Sequence, residues 1–304
     1  MRRFMFLAMT VLLPLPAAAR VLEVGSGQAY PKPSAAAAAA GPGDTIRIAN
    51  GEYYDCMTLS KPNVTVEGSG PGTMLTDAVC GGKALIIAAA DNITVRNLTL
   101  ARARVPDGNG AGIRAEGGNL TVDHVSFVNN QDGILSAPLP NSTIIVRDSV
   151  FDRNGTCQQG CAHGIYVSPL ALLRVERTRF INTKQGHHIK SRAARTEVVD
   201  CDIQDGPEGT ASYLIELPNG GSLLARGNTL EKGPNAENHT AAIVIGSEGI
   251  NQPTRDVVIE NNTFRNDGNY NTYLLNNVSA ADAQLRGNKV SGSAKALQGD
   301  GTVR

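Results

Sequence analysis

The chain has 304 residues, and 28 Lys and Arg balance 28 Asp and Glu, so a formal charge of zero excludes the overall basic bias of a nucleic-acid or anionic-membrane binder. Hydrophobic residues make up 41%, aromatic residues only 4% with no Trp, and 33 Gly with 15 Pro mark a turn-rich globular chain rather than a disordered one. Length alone suggests two domains, but all-β architectures of this size often form one unit, so the repeat pattern decides.

The N-terminus reads Met1, Arg2, Arg3, then an apolar run over 4–15, then Pro16 and three alanines. A charged start, a short apolar stretch and small residues predict an export signal over 1–19 and a secreted or periplasmic domain over 20–304. The run is too short to span a membrane, which takes about 20 residues, and no second one follows, so no transmembrane segment is expected.

A helix-prone segment over 34–40 is followed by Gly-Pro-Gly-Asp and alternating strands. From there one degenerate phrase recurs: an apolar strand, then Asn, Asp or Cys, then an apolar or aromatic residue and a polar turn. Its copies end at Leu100, Phe127, Phe151, Phe180, Ile203, Leu230, Phe264 and Val290, spaced 23 to 34 residues apart. Each copy alternates with period 2, which predicts strands, and a second short strand follows most copies. Stacked coils of this kind predict an all-β solenoid, a single-stranded right-handed parallel β-helix with an N-terminal capping helix. Asn228, Asn262 and Asn288 would stack as an amide ladder at one corner, or serve simply as turn residues.

In an oxidising compartment Cys157 with Cys161, and Cys56 with Cys80, are plausible disulfide pairs. Cys201, inside an alternating apolar stretch, reads as a small buried filler. No Cys-x-x-Cys pair suggests zinc.

Aligning the second strands puts Ile113, Ile134, Ile165, Ile189 and Ile215 inward, and Arg114, Leu135, Tyr166, Lys190 and Glu216 outward as a surface line. Two residues on stand Glu116, Ser168 and Arg192; the preceding turns carry Asp132, His163 and His187, with His188 opening the next strand. This clustering predicts proton-handling residues Lys190, His187, His188, Tyr166 and His163, and substrate contacts Arg192, Glu216, Arg114, Asn219 and Arg195. Abstracting a proton beside a uronate carboxyl needs cations or an amide to neutralise the carboxylate, a base, and a proton donor for the leaving oxygen, and these residue types fill those roles. Inverting hydrolysis would need two carboxylates about 6.5–9.5 Å apart, and the column offers only Glu216 plus the more distant Asp200, Asp202, Asp205 and Glu208.

The stretch from Lys32 through Cys56, with its alanine run and PGDTIRIANGEYYDC, resembles the start of the pectin-lyase-like right-handed parallel β-helix proteins, in which a helix caps the open end of the coil. The GHHIKSRA segment is similar to the Lys-Ser strand of the chondroitinase B and alginate lyase family, and that likeness implies Lys190 as base. The Arg-His-Gly segment of that family is absent, as are the Asp-Asp pair of polygalacturonase-like enzymes and the Asp-Pro-His-Asp motif of alginate epimerases. The expectation is a monomeric lyase acting on an anionic polysaccharide by β-elimination, with no cofactor and no metal. A non-catalytic glycan-binding or structural solenoid, a uronate epimerase and a glycoside hydrolase remain as alternatives.

Overall fold

The structure, a computed structural model, describes residues 18–304. Most of the expected export segment, residues 1–17, lies outside the described residues. The chain enters through the strand Val21–Val24 and the helix Pro33–Ala39, one residue earlier than the alanine run suggests, because Pro33 has its φ pre-set for a first helical turn. Ala36 and Ala37 are buried, and the helix packs against Met57–Leu59, so it covers one apolar end of the coil.

Beyond it the chain is a parallel solenoid. Ten strands, from Met57–Leu59 to Ala294–Gly299, form one parallel sheet in which each pairs with its counterpart a coil later, and most remaining strands join a second, 20-stranded sheet. The recurring phrase has a backbone explanation. Asn97, His124, Asp148, Arg177, Asp200, Gly227, Asn261 and Gly287 occupy equivalent bends with φ between 45° and 69°. Asn, Asp and Gly tolerate that left-handed conformation best, hence their recurrence.

The residue after each bend points into the coil. Asn228 Nδ2 donates to Asn262 Oδ1 at 2.9 Å, and Asn262 Nδ2 to Asn288 Oδ1 at 2.9 Å, so the amide ladder is built. Cys201 stands one rung earlier in that column, buried and unpaired by sulfur, its N–H donating to Asn228 Oδ1 at 2.8 Å. Phe127, Phe151 and Phe180 stack with ring centroids 4.4 and 4.6 Å apart. Their rings need room. A side chain on Gly133 would lie 2.7 Å from the Phe151 ring.

Both cysteine pairs form disulfides, Cys56–Cys80 and Cys157–Cys161. The second closes an antiparallel ribbon, Thr156–Cys157 against Cys161–Ala162, standing out from the ten-stranded sheet. Among the described residues no helix is long and apolar enough to cross a membrane.

Candidate active site

The ten-stranded sheet keeps the register that the sequence implies. Arg114 pairs with Leu135, Leu135 with Tyr166, Tyr166 with Lys190, and Lys190 with Glu216, while Ile113, Ile134, Ile165, Ile189 and Ile215 face the core in the neighbouring column. Strand stacking therefore places side chains from successive coils about 4.8 Å apart without help from any loop.

Lys190 and Glu216 are not the surface pair expected. Lys190 is 9% and Glu216 3% exposed, because loop 246–252 folds over them. Lys190 Nζ lies 3.0 Å from Glu216 Oε2 and 2.7 Å from Glu248 Oε1. Ser247 Oγ donates to Glu216 Oε1 at 2.7 Å. Arg192 reaches the same place from the far end of its strand: Nη2 is 2.7 Å from Glu248 Oε2, Nε donates to Tyr166 Oη at 3.0 Å, and Nη1 donates to Asn219 Oδ1. Both cations also lie against the Tyr166 ring, 5.8 and 5.7 Å from its centroid.

The histidines form the inner wall. His163 and His187 stack with centroids 4.8 Å apart, and Tyr213 stacks on His187 at 5.4 Å. The main-chain N–H of His187 donates to His163 Nδ1 at 3.0 Å, so that nitrogen is an acceptor and the proton between the two Nδ1 atoms, 2.9 Å apart, belongs to His187. Burial, reinforced by the charge of Lys190, pushes His187 down to about 3; burial and the neighbouring His187, Lys190 and Arg192 likewise hold His163 well below the ordinary range. Both rings are neutral. A base works best with a pKa near the working pH, so neither suits the role sketched for it from sequence.

Two expected residues stand elsewhere. His188 is wholly buried inside the coil, its Nδ1 2.8 Å from Thr183 Oγ1 and its Nε2 2.9 Å from Asp205 Oδ1. Strand pairing lapses at this position, and the column it shares holds Gly112, Gly133, Gly164, Leu214 and Ala242, an inward column. Arg195 lies on the other sheet, bound to Glu197 and Asp256. Arg114, in contrast, stays on the column and borders a groove of about 510 Å3 with Asp132, Ser168 and Tyr166, walled by residues 107–109 and by residues 159–162 of the disulfide-closed ribbon. Its Nε is buried and makes no hydrogen bond, but lies 3.4 Å from the Glu116 carboxylate. Asp132, fully buried, has its carboxyl raised well above the usual range by desolvation and accepts the His163 N–H at 2.6 Å.

Glu248 escaped the sequence reading. It lies in the 34-residue gap between two repeat copies, where no alternation marks it. Among the described residues one group, Asp123, His124 and Asp148, brings potential metal ligands within 4.8 Å of one another. It lies on the 20-stranded sheet, and Arg147 and Arg177 already bind its two carboxylates at 2.8 Å.

No curated protein matches this chain. Among solved structures, the alginate lyase from Paenibacillus sp. str. FPU-7 is similar with 18% identity and a TM-score of 0.65, covering 93% of this chain and 99% of that one. A pectin methylesterase from Aspergillus niger is similar with 11% identity and a TM-score of 0.52, covering 96% of this chain and 93% of that one. At such identities the likeness carries the fold alone. The family described as right handed beta helix region matches residues 44–230 and 156–302. With that match spanning nearly all the described coils, and with a capping helix leading into them, the chain belongs to the right-handed parallel β-helix proteins of pectin-lyase-like architecture.

Proposed function

We propose that the protein is an exported lyase that cleaves a uronate-containing polysaccharide by β-elimination. The observation that carries this reading is the meeting of Lys190 and Arg192 on one carboxylate, that of Glu248, with Tyr166 Oη bound to the same Arg192. A site that holds one carboxylate between two cations beside a phenol suits a uronate. In the reaction Arg192 and Asn219 grip the sugar carboxylate and offset charge that develops on it as the adjacent C–H bond breaks. Tyr166 enters as the phenolate that the Arg192 guanidinium stabilises, accepts that proton on Oη and leaves as the phenol. The electron pair forms the ring double bond, the glycosidic C–O bond breaks, and Lys190, paired with Glu216, gives a proton to the leaving oxygen, an acid role in place of the base role that the likeness of its strand implies. The neutral histidines shape the wall and take no proton.

Hydrolysis fits less well. Burial opposes it, but the charges of Lys190 and Arg192 hold Glu248 below the usual carboxylate range, so it is no proton donor. The resemblance of the opening segment, both disulfides and the predicted signal over 1–19 support export. Incubation with a panel of uronate polymers tests the reading. Ultraviolet absorbance from an unsaturated, carboxylate-conjugated product is expected; new reducing ends without it would mean hydrolysis, and neither would mean a binding protein.

A further inference from the structure

Glu248 approaches from the solvent side. Its side chain is 42% exposed, against 11% for Lys190 and 21% for Arg192. Its two oxygens bridge these cations, each at 2.7 Å. It therefore occupies the place that a sugar carboxylate needs.

Nothing else depends on it being there. With Glu248 withdrawn, Lys190 keeps Glu216, and Arg192 keeps Tyr166 and Asn219. The segment that carries Glu248 is suited to withdrawal. Residues 247–250 are exposed, and the loop turns at Gly246 and Gly249, whose φ values of 87° and 91° lie where residues with a Cβ are strained. Beyond the two ion pairs and the Ser247 contact to Glu216, its N–H bonds to the rest of the coil all go to one turn, from Gly246 to Leu217 O, Glu248 to Pro218 O and Asn251 to Asn219 O at 2.9 Å and from Gln252 to Asn219 O at 2.8 Å. Longer side-chain contacts run from Asn219 Nδ2 to Gly249 O at 3.5 Å and from Gln252 Nε2 to Arg192 O at 3.4 Å.

We infer that Glu248 is an internal surrogate for the substrate's carboxylate, so that binding exchanges one carboxylate for another and swings loop 246–252 outward. The inference rests on the uronate reading above and makes it more specific. A sugar unit must bring a free carboxylate, since an ester or a reduced carboxyl cannot compete for Lys190 and Arg192. The cost is affinity: a site available for only a fraction of the time binds more weakly by that fraction.

Calorimetry with tetrasaccharides of galacturonate, mannuronate and guluronate, each beside its carboxyl-reduced form, tests this on the full-length protein and on Glu248→Gln. The variant should bind at least one acidic tetrasaccharide about tenfold more tightly than the wild type, as expected if the free loop stands open about a tenth of the time, with no such gain for the reduced form. In the wild type, hydrogen exchange over 246–252 should speed up on saturation with the acidic ligand. Equal or weaker binding by Glu248→Gln would overturn the inference and make Glu248 a holder of the cations. So would a gain shared by the reduced form, or slower exchange in the loop. Tighter binding by the variant with no elimination product from the wild type would sink the lyase and leave the exchange standing. No binding of any acidic tetrasaccharide by either protein would overturn both.

Discussion

Lys190 and Glu216 occupy the same position in successive coils and meet at 3.0 Å beneath a loop, so they form a covered pair. Lys190→Ala should lower turnover by about 10²–10⁴, the usual worth of a positioned proton donor. It should also destabilise by about 3 kcal/mol, because it strands a buried carboxylate. Lys190→Met with Glu216→Gln separates the two effects: thermal unfolding should return most of the way to wild type while activity stays lost. Recovery of activity in the double variant would remove Lys190 from the chemistry.

Acid should weaken the fold through the stacked histidines. His187 titrates near 3 when folded and near 6.5 when unfolded, so its contribution is complete above about pH 6.5 and disappears as pH falls toward 3, where the unfolded chain binds the extra proton. His187→Phe, which keeps the stack on Tyr213, should flatten the decline of the melting temperature between those values. The rate profile should show no inflection from His187 between pH 5 and 8. An inflection that His187→Phe abolishes would restore the imidazole as a base.

The alkaline side carries a second test. Lys232 is fully buried, donates to Ser212 O at 2.8 Å, and is pushed by burial down to about 8, against the pull of Asp205 and Glu231. Between about pH 8 and 10.4 the unfolded chain holds a proton that the folded one has released, so stability should rise with pH across that window. Lys232→Met should remove the rise. A melting temperature falling equally in both proteins would mean that Lys232 stays charged when folded.

The amide ladder makes a prediction about cooperation between coils. Asn262 accepts from the backbone N–H and Nδ2 of Asn228, both at 2.9 Å, and donates to Ala225 O at 3.0 Å and to Asn288 Oδ1 at 2.9 Å. Asn262→Ala leaves several buried groups unpaired and should cost about 3 kcal/mol, while Asn288→Ala, at the less buried end, should cost about 1 kcal/mol. Denaturant unfolding of the two variants would show equal losses only if the rungs act independently.

Much of the fold was legible because a coil repeats both its alternation and its bend chemistry. Ile189 and Lys190 could be assigned to opposite faces from sequence, as could Asn262 to the ladder. The site was legible where it lies on strands. His188 was misread because alternation fails where the chain turns into the strand, although Gly112, Gly133, Gly164 and Leu214 in its column already marked that position as interior. Glu248 left no periodic signal, since a loop residue acquires its neighbours only through the path of the loop. The depth of Lys190 was missed for the same reason: what covers it comes from two coils later.

The residue-for-residue register of the ten-stranded sheet turns its outer face into a graduated scale. Arg114 stands three divisions from Lys190, about 14 Å along the stack. On the polysaccharide reading proposed above, a single sugar unit engages one mark and cannot reach both, so chain length would be counted in coils. Deleting one whole coil between the two would shorten that measure by a fixed step while leaving the chemistry at either mark unchanged.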